Sequence, residues 1–287
     1  MRLFTSSLPP DLTERVLTKL GFSGQPEPTF GGLSALFDAW CRQVPFDNVR
    51  KLIHVRKQDA SPLPGDDPGD FFEAWLKHGT GGTCWATNGA LYTLLASLGF
   101  DASRGEATMM VAPNLPPNHA TVLVAFDEAR YIVDGALLQV EPLRLDMLET
   151  TGVHSDAWGL TCSQRDGHWV IRWRPAHQPA GLDCRIDRLQ VTRETYQERH
   201  EVTRSWSPFN YELYARSVRG ESLVSACFGQ RVEFMSRGES LRQSLTDADR
   251  ARFLVEELGM SEEIVAQLPP DITTPPPPGS NTARALE

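Results

Sequence analysis

Cys84 is the residue whose type and setting point most directly to chemistry. It follows the glycine pair Gly81-Gly82 and opens a stretch, up to Leu98, in which leucines recur at helical spacing. A thiol at the N-terminus of a helix lies near unpaired backbone N–H groups and the positive end of the helix dipole, both of which stabilise the thiolate. The pattern therefore predicts a nucleophilic cysteine at the start of a helix.

A histidine and an aspartate, His119 and Asp134, follow the cysteine in the order of a Cys-His-Asp triad. They border a predicted β-hairpin with strands at 120–126 and 131–134. A four-residue loop would pair Phe126 with Tyr131. This register puts Asp134 opposite Leu123, on the face that also carries His119, whereas a slip of one residue would separate the two. On a shared face, the aspartate can accept one ring N–H and leave the other ring nitrogen to take the thiol proton.

The remaining cysteines have no neighbours that suggest chemistry. The chain has five cysteines, an odd and widely scattered set that is typical of reduced thiols rather than a disulfide framework. Since none forms a close Cys/His pair, a structural zinc site is not expected. A buried cysteine can also serve as a small hydrophobic residue. The alternative that Cys84 is structural, and that the Cys-His-Asp order arose by chance, therefore stays open. We interpret four cysteines as structural: Cys41, Cys162, Cys184 and Cys227.

Composition argues against several classes of function. The chain has 287 residues, enough to bury a substantial core in two or three domains, and a net charge of −9. Nucleic-acid binding requires clustered Lys and Arg, which this balance disfavours. No apolar run approaches the ~20 residues of a membrane span and the first residues lack a secretory core, so we expect a cytoplasmic protein without membrane association. Local basic residues could still bind an anionic ligand, but solvated surface charges are the favoured interpretation for three of them: Arg204, Arg216 and Arg219.

The pattern of predicted elements changes along the chain. Helical patterns come first, at 11–55 and 70–100. Short strands follow at 104–192, and a mixed segment with a final helix occupies 192–260. Thr246 is the expected N-cap of the last helix. A proline-rich segment then predicts an extended, disordered tail.

Three motifs in this order resemble those of the arylamine N-acetyltransferases. Gly81-Gly82-Thr83-Cys84-Trp85 looks like the family's Arg-Gly-Gly-x-Cys-Phe-Glu, and Asn88 matches the asparagine that follows. Val44-Pro45-Phe46-Asp47-Asn48 resembles the family's Ile-Pro-Phe-Glu-Asn, and Tyr131-Ile132-Val133-Asp134 resembles the strand that ends in its triad aspartate. The resemblance covers about residues 13–265 and depends on the three motifs together.

The resemblance implies an α+β fold with a papain-like Cys-His-Asp site. Its parts would be an N-terminal helical bundle, a central antiparallel β-barrel and a C-terminal α/β lid. Cys84 would belong to the helical part, and His119 and Asp134 to the barrel. The expected division is a helical domain at 1–103, a barrel domain at 104–192, a lid at 193–268 and a disordered proline-rich tail at 269–287.

Two departures from the family pattern affect the surroundings of the nucleophile. The family's arginine before the glycine pair is Thr80, and its glutamate after the cysteine is Ala86. Because the loss of one charge alone would leave the other without an ion-pair partner, we interpret the two changes as a matched replacement. The family's Asp-Val-Gly-Phe-Gly is Asp134-Gly135-Ala136-Leu137-Leu138, which rewrites the substrate wall. By resemblance, the substrate-binding residues are Phe46, Trp85, Gly135 and Leu137.

The resemblance further implies an acyltransferase that works through an acyl-Cys84 intermediate. The donor would be acetyl-CoA, or another acyl thioester, used as a co-substrate, and the acceptor a small arylamine or hydrazine; no metal and no permanently bound cofactor are expected. The rewritten loop favours an alternative, an amide synthase of secondary metabolism that takes a larger acyl chain from an acyl carrier protein. A hydrolase with the same triad and a catalytically idle binding protein also stay open, and the sequence leaves the oligomeric state undetermined.

Overall fold

The computed structural model describes residues 7–112, 115–153, 159–175, 178, 180–235 and 240–278. Helices dominate the first hundred residues, as the sequence pattern predicts, and return after the barrel strands. The helices are α1 Pro10–Lys19, α2 Phe30–Gln43, α3 Val49–Arg56, α4 Pro68–His78, α5 Cys84–Ser97, α6 Arg193–Val202, α7 Asp247–Arg252 and α8 Glu262–Val265.

One short strand lies between α2 and α3, and the other strands lie between α5 and α6 and after α6. They are β1 Phe46–Asp47, β2 Ala102–Met109, β3 His119–Phe126, β4 Ala129–Val133, β5 Leu143–Leu145, β6 Thr151–Gly152, β7 Thr161–Arg165, β8 His168–Trp173, β9 Leu182–Arg188, β10 Tyr214–Arg219, β11 Ser222–Cys227, β12 Gln230–Phe234 and β13 Ser240–Ser244. The sequence pattern missed β1, β5 to β7, β10 and β13, because these strands are very short or, in β7, β10 and β13, rich in polar residues.

Helix α5 lies at the centre of the molecule. It begins at Cys84, as predicted, and its residues up to Leu95 are buried except for Gly89 and Tyr92, which are partly buried. The helix contains no charged residue, so no face of it requires solvent. It packs against β2, β3, α4 and α6, which fixes Cys84 relative to the strands that follow.

The strands β2 to β9 form the barrel that was expected. They build one antiparallel sheet in the order β5-β4-β3-β2-β9-β8-β7-β6. The edge strand β5 also contacts β6 and β7, so the sheet curls into a nearly closed barrel. Its interior contributes to the largest apolar core together with α1, α2, α4 and α5.

The hairpin of β3 and β4 is tighter than predicted. Phe126 lies opposite Ala129, so the turn has two residues and the predicted four-residue loop is wrong. Asp127 makes the turn possible because it adopts the left-handed conformation, with φ 49°. The register therefore shifts by two residues. Since side chains alternate with a period of 2, an even shift leaves His119 and Asp134 on one face.

A second sheet connects the N-terminal helices to the C-terminal part. It is antiparallel, in the order β1-β10-β11-β12-β13, and its strand β1 comes from the segment between α2 and α3. Asn48, just after β1, donates from Nδ2 to the carbonyl oxygens of Phe209 and Glu212 at 3.0 and 2.8 Å. Its Oδ1 accepts from the Tyr214 backbone N–H at 2.8 Å. This junction holds the second sheet against the loop that precedes Cys84.

The C-terminal elements both confirm and correct the sequence analysis. Thr246 caps α7 through a reciprocal capping box with Asp249, as predicted. The tail was expected to be disordered from 269, but its described part, 269–278, packs against the segment that precedes β10. The Leu213 backbone N–H donates to Asp271 at 2.8 Å, and the Thr274 hydroxyl donates to Glu212 at 2.7 Å. These side-chain hydrogen bonds order a segment whose proline content alone suggested disorder; residues 279–287 lie outside the described residues.

Within the described ranges, no helix is long and apolar enough to cross a bilayer.

Candidate active site

Cys84 is the first residue of α5 and is only 6% exposed. The residue before it, Thr83, is extended and its side chain makes no capping hydrogen bond. The backbone N–H groups of the first helical turn have no partner within the helix, so they are available to a group bound at the thiol. The predicted placement of the thiol at a helix N-terminus is what the structure shows.

His119 and Asp134 meet in the buried space next to Cys84. His119 Nε2 lies 2.8 Å from Asp134 Oδ2, and both side chains are almost fully buried. The Cys84 side chain interacts with the ring as well, and this interaction raises the pKa of the imidazole. The hairpin thus brings all three predicted residues together, with the imidazole between the thiol and the carboxylate.

The protonation of the histidine follows from its neighbours. Burial lowers the pKa of His119, but the charge and hydrogen bond of Asp134, together with Cys84, outweigh it and raise the pKa to about 10. Burial opposes ionisation of Asp134, yet His119, Asn88 and the Ala136 backbone N–H hold its pKa below the ordinary value. The arrangement therefore stabilises an imidazolium beside the Asp134 carboxylate at neutral pH.

Asn88 is a site residue whose role sequence reasoning did not assign. It stands one turn after Cys84 on the same face of α5, because residues four apart share a helix face. Its Nδ2 donates to Asp134 Oδ1 at 2.9 Å and to the Ala120 carbonyl at 2.7 Å, and its Oδ1 accepts from the Gly135 N–H at 2.8 Å. A polar residue four positions after the cysteine, inside an apolar helix, was the available signal.

Asp47 braces the loop that precedes the nucleophile. Its carboxylate accepts from the Gly81 N–H at 2.6 Å and from the Val49 N–H at 2.9 Å. Burial raises its pKa to about 6, although both N–H groups oppose the shift. Thr80 and Ala86 are both buried, at the positions where the family carries a charged pair. In this chain a buried carboxylate bound to backbone N–H groups holds the loop.

The four residues expected to bind substrate occupy different surroundings. Phe46 is buried and its ring contacts those of Phe209 and Tyr214, at centroid distances of 5.4 and 5.7 Å. Trp85 packs edge-on against Tyr196 at 5.1 Å. These contacts place Phe46 in an aromatic cluster at the junction with the second sheet, and Trp85 in the packing between α5 and α6.

The other two belong to the loop after Asp134. A Cβ added at Gly135 would lie 2.7 Å from Trp40 Nε1, so only glycine fits against that indole. Leu137 is 1% exposed and belongs to the core. In this conformation the loop after Asp134 packs into the core beside the proposed site.

Lys51 is a second residue that sequence reasoning missed. It lies on α3, which begins beside the nucleophile loop, and it is 5% exposed. Its Nζ donates to Thr203 Oγ1 at 2.8 Å. Burial lowers its pKa to about 7. Lys51 is therefore a buried amine next to the proposed site whose charge changes near neutral pH.

The other cysteines differ from Cys84 in their surroundings. All are buried as free thiols. Burial raises the pKa of Cys41 and Cys184 well above the ordinary value, that of Cys162 to about 12 and that of Cys227 to about 11. They stay protonated at neutral pH. Within the described ranges, no group of His, Cys, Asp and Glu is arranged to hold a metal ion.

Sequence comparisons identify the relatives of the chain. A family model described as N-acetyltransferase matches residues 29–179. The arylamine N-acetyltransferase of Mycolicibacterium smegmatis is 29% identical over 173 residues, covering 57% of this chain and 61% of the relative. That of Mycobacterium tuberculosis is 28% identical over 203 residues, covering 66% and 62%. The chain thus aligns with about three fifths of the length of the curated relatives that it matches.

Solved structures share the fold over a larger part of the chain. The arylamine N-acetyltransferase of Mycobacterium abscessus superposes with a TM-score of 0.74 at 16% identity, covering 89% of this chain and 92% of the other. The Mycobacterium marinum enzyme in complex with CoA gives a TM-score of 0.73 at 18% identity, covering 87% and 93%. The expected α+β fold is therefore confirmed.

Proposed function

Because the chain belongs to the arylamine N-acetyltransferase family, we propose that it transfers an acetyl group from acetyl-CoA to an arylamine. The observation that carries the proposal is the buried His119–Asp134 pair, joined at 2.8 Å, with Cys84 as the other neighbour of the ring. Such an arrangement supplies a nucleophile, a proton carrier and a group that orients the carrier. The relative from M. marinum, solved with CoA, supports a CoA thioester as the donor.

In the first step the Cys84 thiolate attacks the thioester carbonyl. A bond forms between Sγ and the carbonyl carbon, and the bond from that carbon to the CoA sulfur breaks. The departing sulfur takes the proton that His119 holds, so that CoA leaves as a thiol and acetyl-Cys84 remains. Backbone N–H groups of the first turn of α5 are positioned to stabilise the oxyanion that forms in between.

In the second step an arylamine attacks acetyl-Cys84. The nitrogen forms a bond to the acetyl carbon and loses a proton to His119, while Cys84 leaves as a thiolate. The product is an N-acetylated arylamine, and the thiolate–imidazolium pair is restored. Asp134 and Asn88 keep the ring oriented through both proton transfers.

The proposal is tested by incubating the protein with acetyl-CoA and measuring its intact mass. We expect one acetyl group on Cys84, absent from Cys84→Ala and strongly reduced in His119→Ala, and removed on addition of an arylamine with formation of the acetylated amine. Cys227→Ala is the matched control, because that thiol stays protonated and should not react. Release of acetate at the same rate with and without amine would instead identify a hydrolase.

The same measurement separates the donor alternatives. Acyl N-acetylcysteamine thioesters of increasing chain length report which acyl groups reach Cys84. An adduct from long acyl chains but none from acetyl donors would favour the amide synthase alternative and contradict acetyl transfer.

A further inference from the structure

Arg216 is a buried cation on β10. A surface charge was expected at this position, but the residue is 2% exposed. Its guanidinium contacts the face of the Trp173 ring at 5.0 Å and hydrogen-bonds the Tyr214 side chain. Within the described part of the chain, its Nε has no hydrogen-bond partner and no Asp or Glu forms an ion pair with it.

Two other buried charged residues of this chain, by contrast, form ion pairs. Arg250, another buried arginine, pairs with Asp271 at 3.1 Å. The buried Glu106 pairs with Arg188 at 2.6 Å. An unpaired buried charge costs free energy, and a guanidinium cannot avoid that cost by losing its proton. A counter-ion that arrives with a ligand would remove the cost.

Arg216 lies close to the loop that precedes Cys84, so a counter-ion bound to it would lie near the proposed active site. Arg216 lies opposite Phe46 across the β10–β1 pair, and Phe46 forms a parallel bridge with Gly82. Adjacent strands are spaced about 4.8 Å apart, so the Cα atoms of Arg216 and Gly82 are separated by roughly 10 Å. Gly82 is two residues before Cys84. The side chains of a directly opposed pair project from the same face of the sheet, so Arg216 shares the face of Phe46.

We propose that Arg216 binds a carboxylate of the substrate, carried either by the acyl group or by the amine acceptor. The inference rests on the proposed acyl transfer and narrows its substrate class. A planar guanidinium with parallel N–H groups matches the two oxygens of a carboxylate, and the Trp173 face would keep it oriented. A phosphate of CoA is a less suitable partner, because the long pantetheine arm separates it from the thioester that reacts at Cys84.

Binding can be measured without turnover in the Cys84→Ala protein. The acceptor arm compares 4-aminobenzoate with aniline, and the donor arm compares succinyl with acetyl N-acetylcysteamine thioester, all by calorimetry. In one arm we expect the carboxylated ligand to bind at least about tenfold more tightly than its neutral analogue. Arg216→Met should abolish that preference, and Arg216→Lys should retain part of it. Arg219→Met, at an exposed position on the same strand, is the matched control and should retain all of it.

Kinetics with Cys84 intact provide the second readout. Arg216→Met should lower the rate with the preferred carboxylated substrate about 30-fold or more and change the rate with its neutral analogue less than about threefold. A role in folding alone would lower both rates equally. Acetyl-CoA and acetyl N-acetylcysteamine are compared as well, since only the first carries phosphates.

The outcomes separate this inference from the proposed function. No carboxylate preference in either arm, or a preference that persists in Arg216→Met, overturns the role of Arg216. A loss with acetyl-CoA but not with acetyl N-acetylcysteamine would assign Arg216 to a phosphate and overturn the carboxylate. Absence of any acyl adduct on Cys84 contradicts acyl transfer, whereas the calorimetric comparison in Cys84→Ala still tests Arg216 because it requires no thiol.

Discussion

At the scale of single residues, the geometry of the proposed catalytic residues depends on Asn88 as much as on the carboxylate that it holds. Asp134 Oδ1 accepts from Asn88 and from the backbone N–H groups of Ala136 and Leu137, so Oδ2 stays free for His119. These donors fix which oxygen faces the ring. A carboxylate held in this way keeps the imidazole in a single orientation.

Asn88→Ala should therefore impair catalysis through His119 and Asp134. The change removes two donors and one acceptor, each worth about 1–3 kcal/mol in a buried site, and we expect kcat/KM to fall about 10- to 100-fold. Steady-state acetylation of an arylamine measures the effect. Thr93→Ala is the control, because its hydroxyl bonds the Gly89 carbonyl in the same helix. Activity within about threefold of wild type in Asn88→Ala would contradict the assigned role.

Lys51 makes stability depend on pH with a defined sign. Burial lowers its pKa from 10.5 to about 7. Between these values the unfolded chain binds a proton that the folded chain has lost, so this residue makes the free energy of unfolding fall as pH decreases from about 10.5 to about 7. Lys51→Met should remove that dependence and increase the free energy of unfolding below about pH 7 by about 1–3 kcal/mol.

Urea unfolding at about pH 6 and about pH 9 tests this expectation as a difference between variants. Lys57→Met changes an exposed lysine at the C-terminal end of the same helix and should shift stability by less than about 0.5 kcal/mol at either pH. An equal effect of Lys51→Met at both pH values would show that packing, not charge, explains it.

At the scale of elements, the loop from Gly81 to Thr83 first pairs with β1 and then leads directly into helix α5. Asp47 and Gly82 are joined by a backbone hydrogen bond of 3.3 Å, and Asp47 also binds the Gly81 N–H. The approach is close enough that a Cβ at Gly81 would lie 1.8 Å from the Pro45 carbonyl oxygen. Cys84 is therefore positioned by backbone contacts that tolerate no side chain at this point.

Gly81→Ala and Gly89→Ala should have opposite effects on stability. The first clashes with backbone and should lower the free energy of unfolding by about 3 kcal/mol and slow acetylation of Cys84. The second lies in α5, where an added Cβ would meet only Tyr196 at 3.8 Å, and should raise stability by about 0.5–1 kcal/mol through helix propensity. Thermal unfolding of both variants, with intact-mass measurement of acetylation, checks the pair; a well-folded, fully active Gly81→Ala would refute the close contact.

At the scale of the whole molecule, the C-terminal tail packs against the segment that contacts Phe46 beside the proposed active site. The Ile272 N–H donates to the Tyr211 carbonyl at 3.1 Å, and Trp206 Nε1 donates to the Pro275 carbonyl at 3.3 Å. The same segment carries Phe209, whose ring contacts Phe46. The tail is thus connected to the site through one layer of side chains.

Removal of residues 269–287 should consequently loosen this layer. With several hydrogen bonds lost at about 1 kcal/mol each, we expect the Tm to fall by about 5 °C or more and the KM for the amine to rise. Removal of 279–287 alone serves as the control. Scanning calorimetry and steady-state kinetics measure the two effects, and equal behaviour of the two truncations would assign no role to 269–278.

The sequence by itself determined the helix that begins at Cys84 and the shared face of His119 and Asp134, because both follow from local periodicity. The predicted shared face is correct although the predicted turn length is wrong, since a two-residue shift preserves the alternation of side chains. The sequence also indicated the α+β fold, through the order of its motifs along the chain. Burial of charge, in contrast, was decided only by the tertiary structure. Arg216 was expected in solvent and Lys51 went unnoticed, because the surroundings of a side chain depend on elements distant in sequence, here β8 for Arg216 and the end of α6 for Lys51.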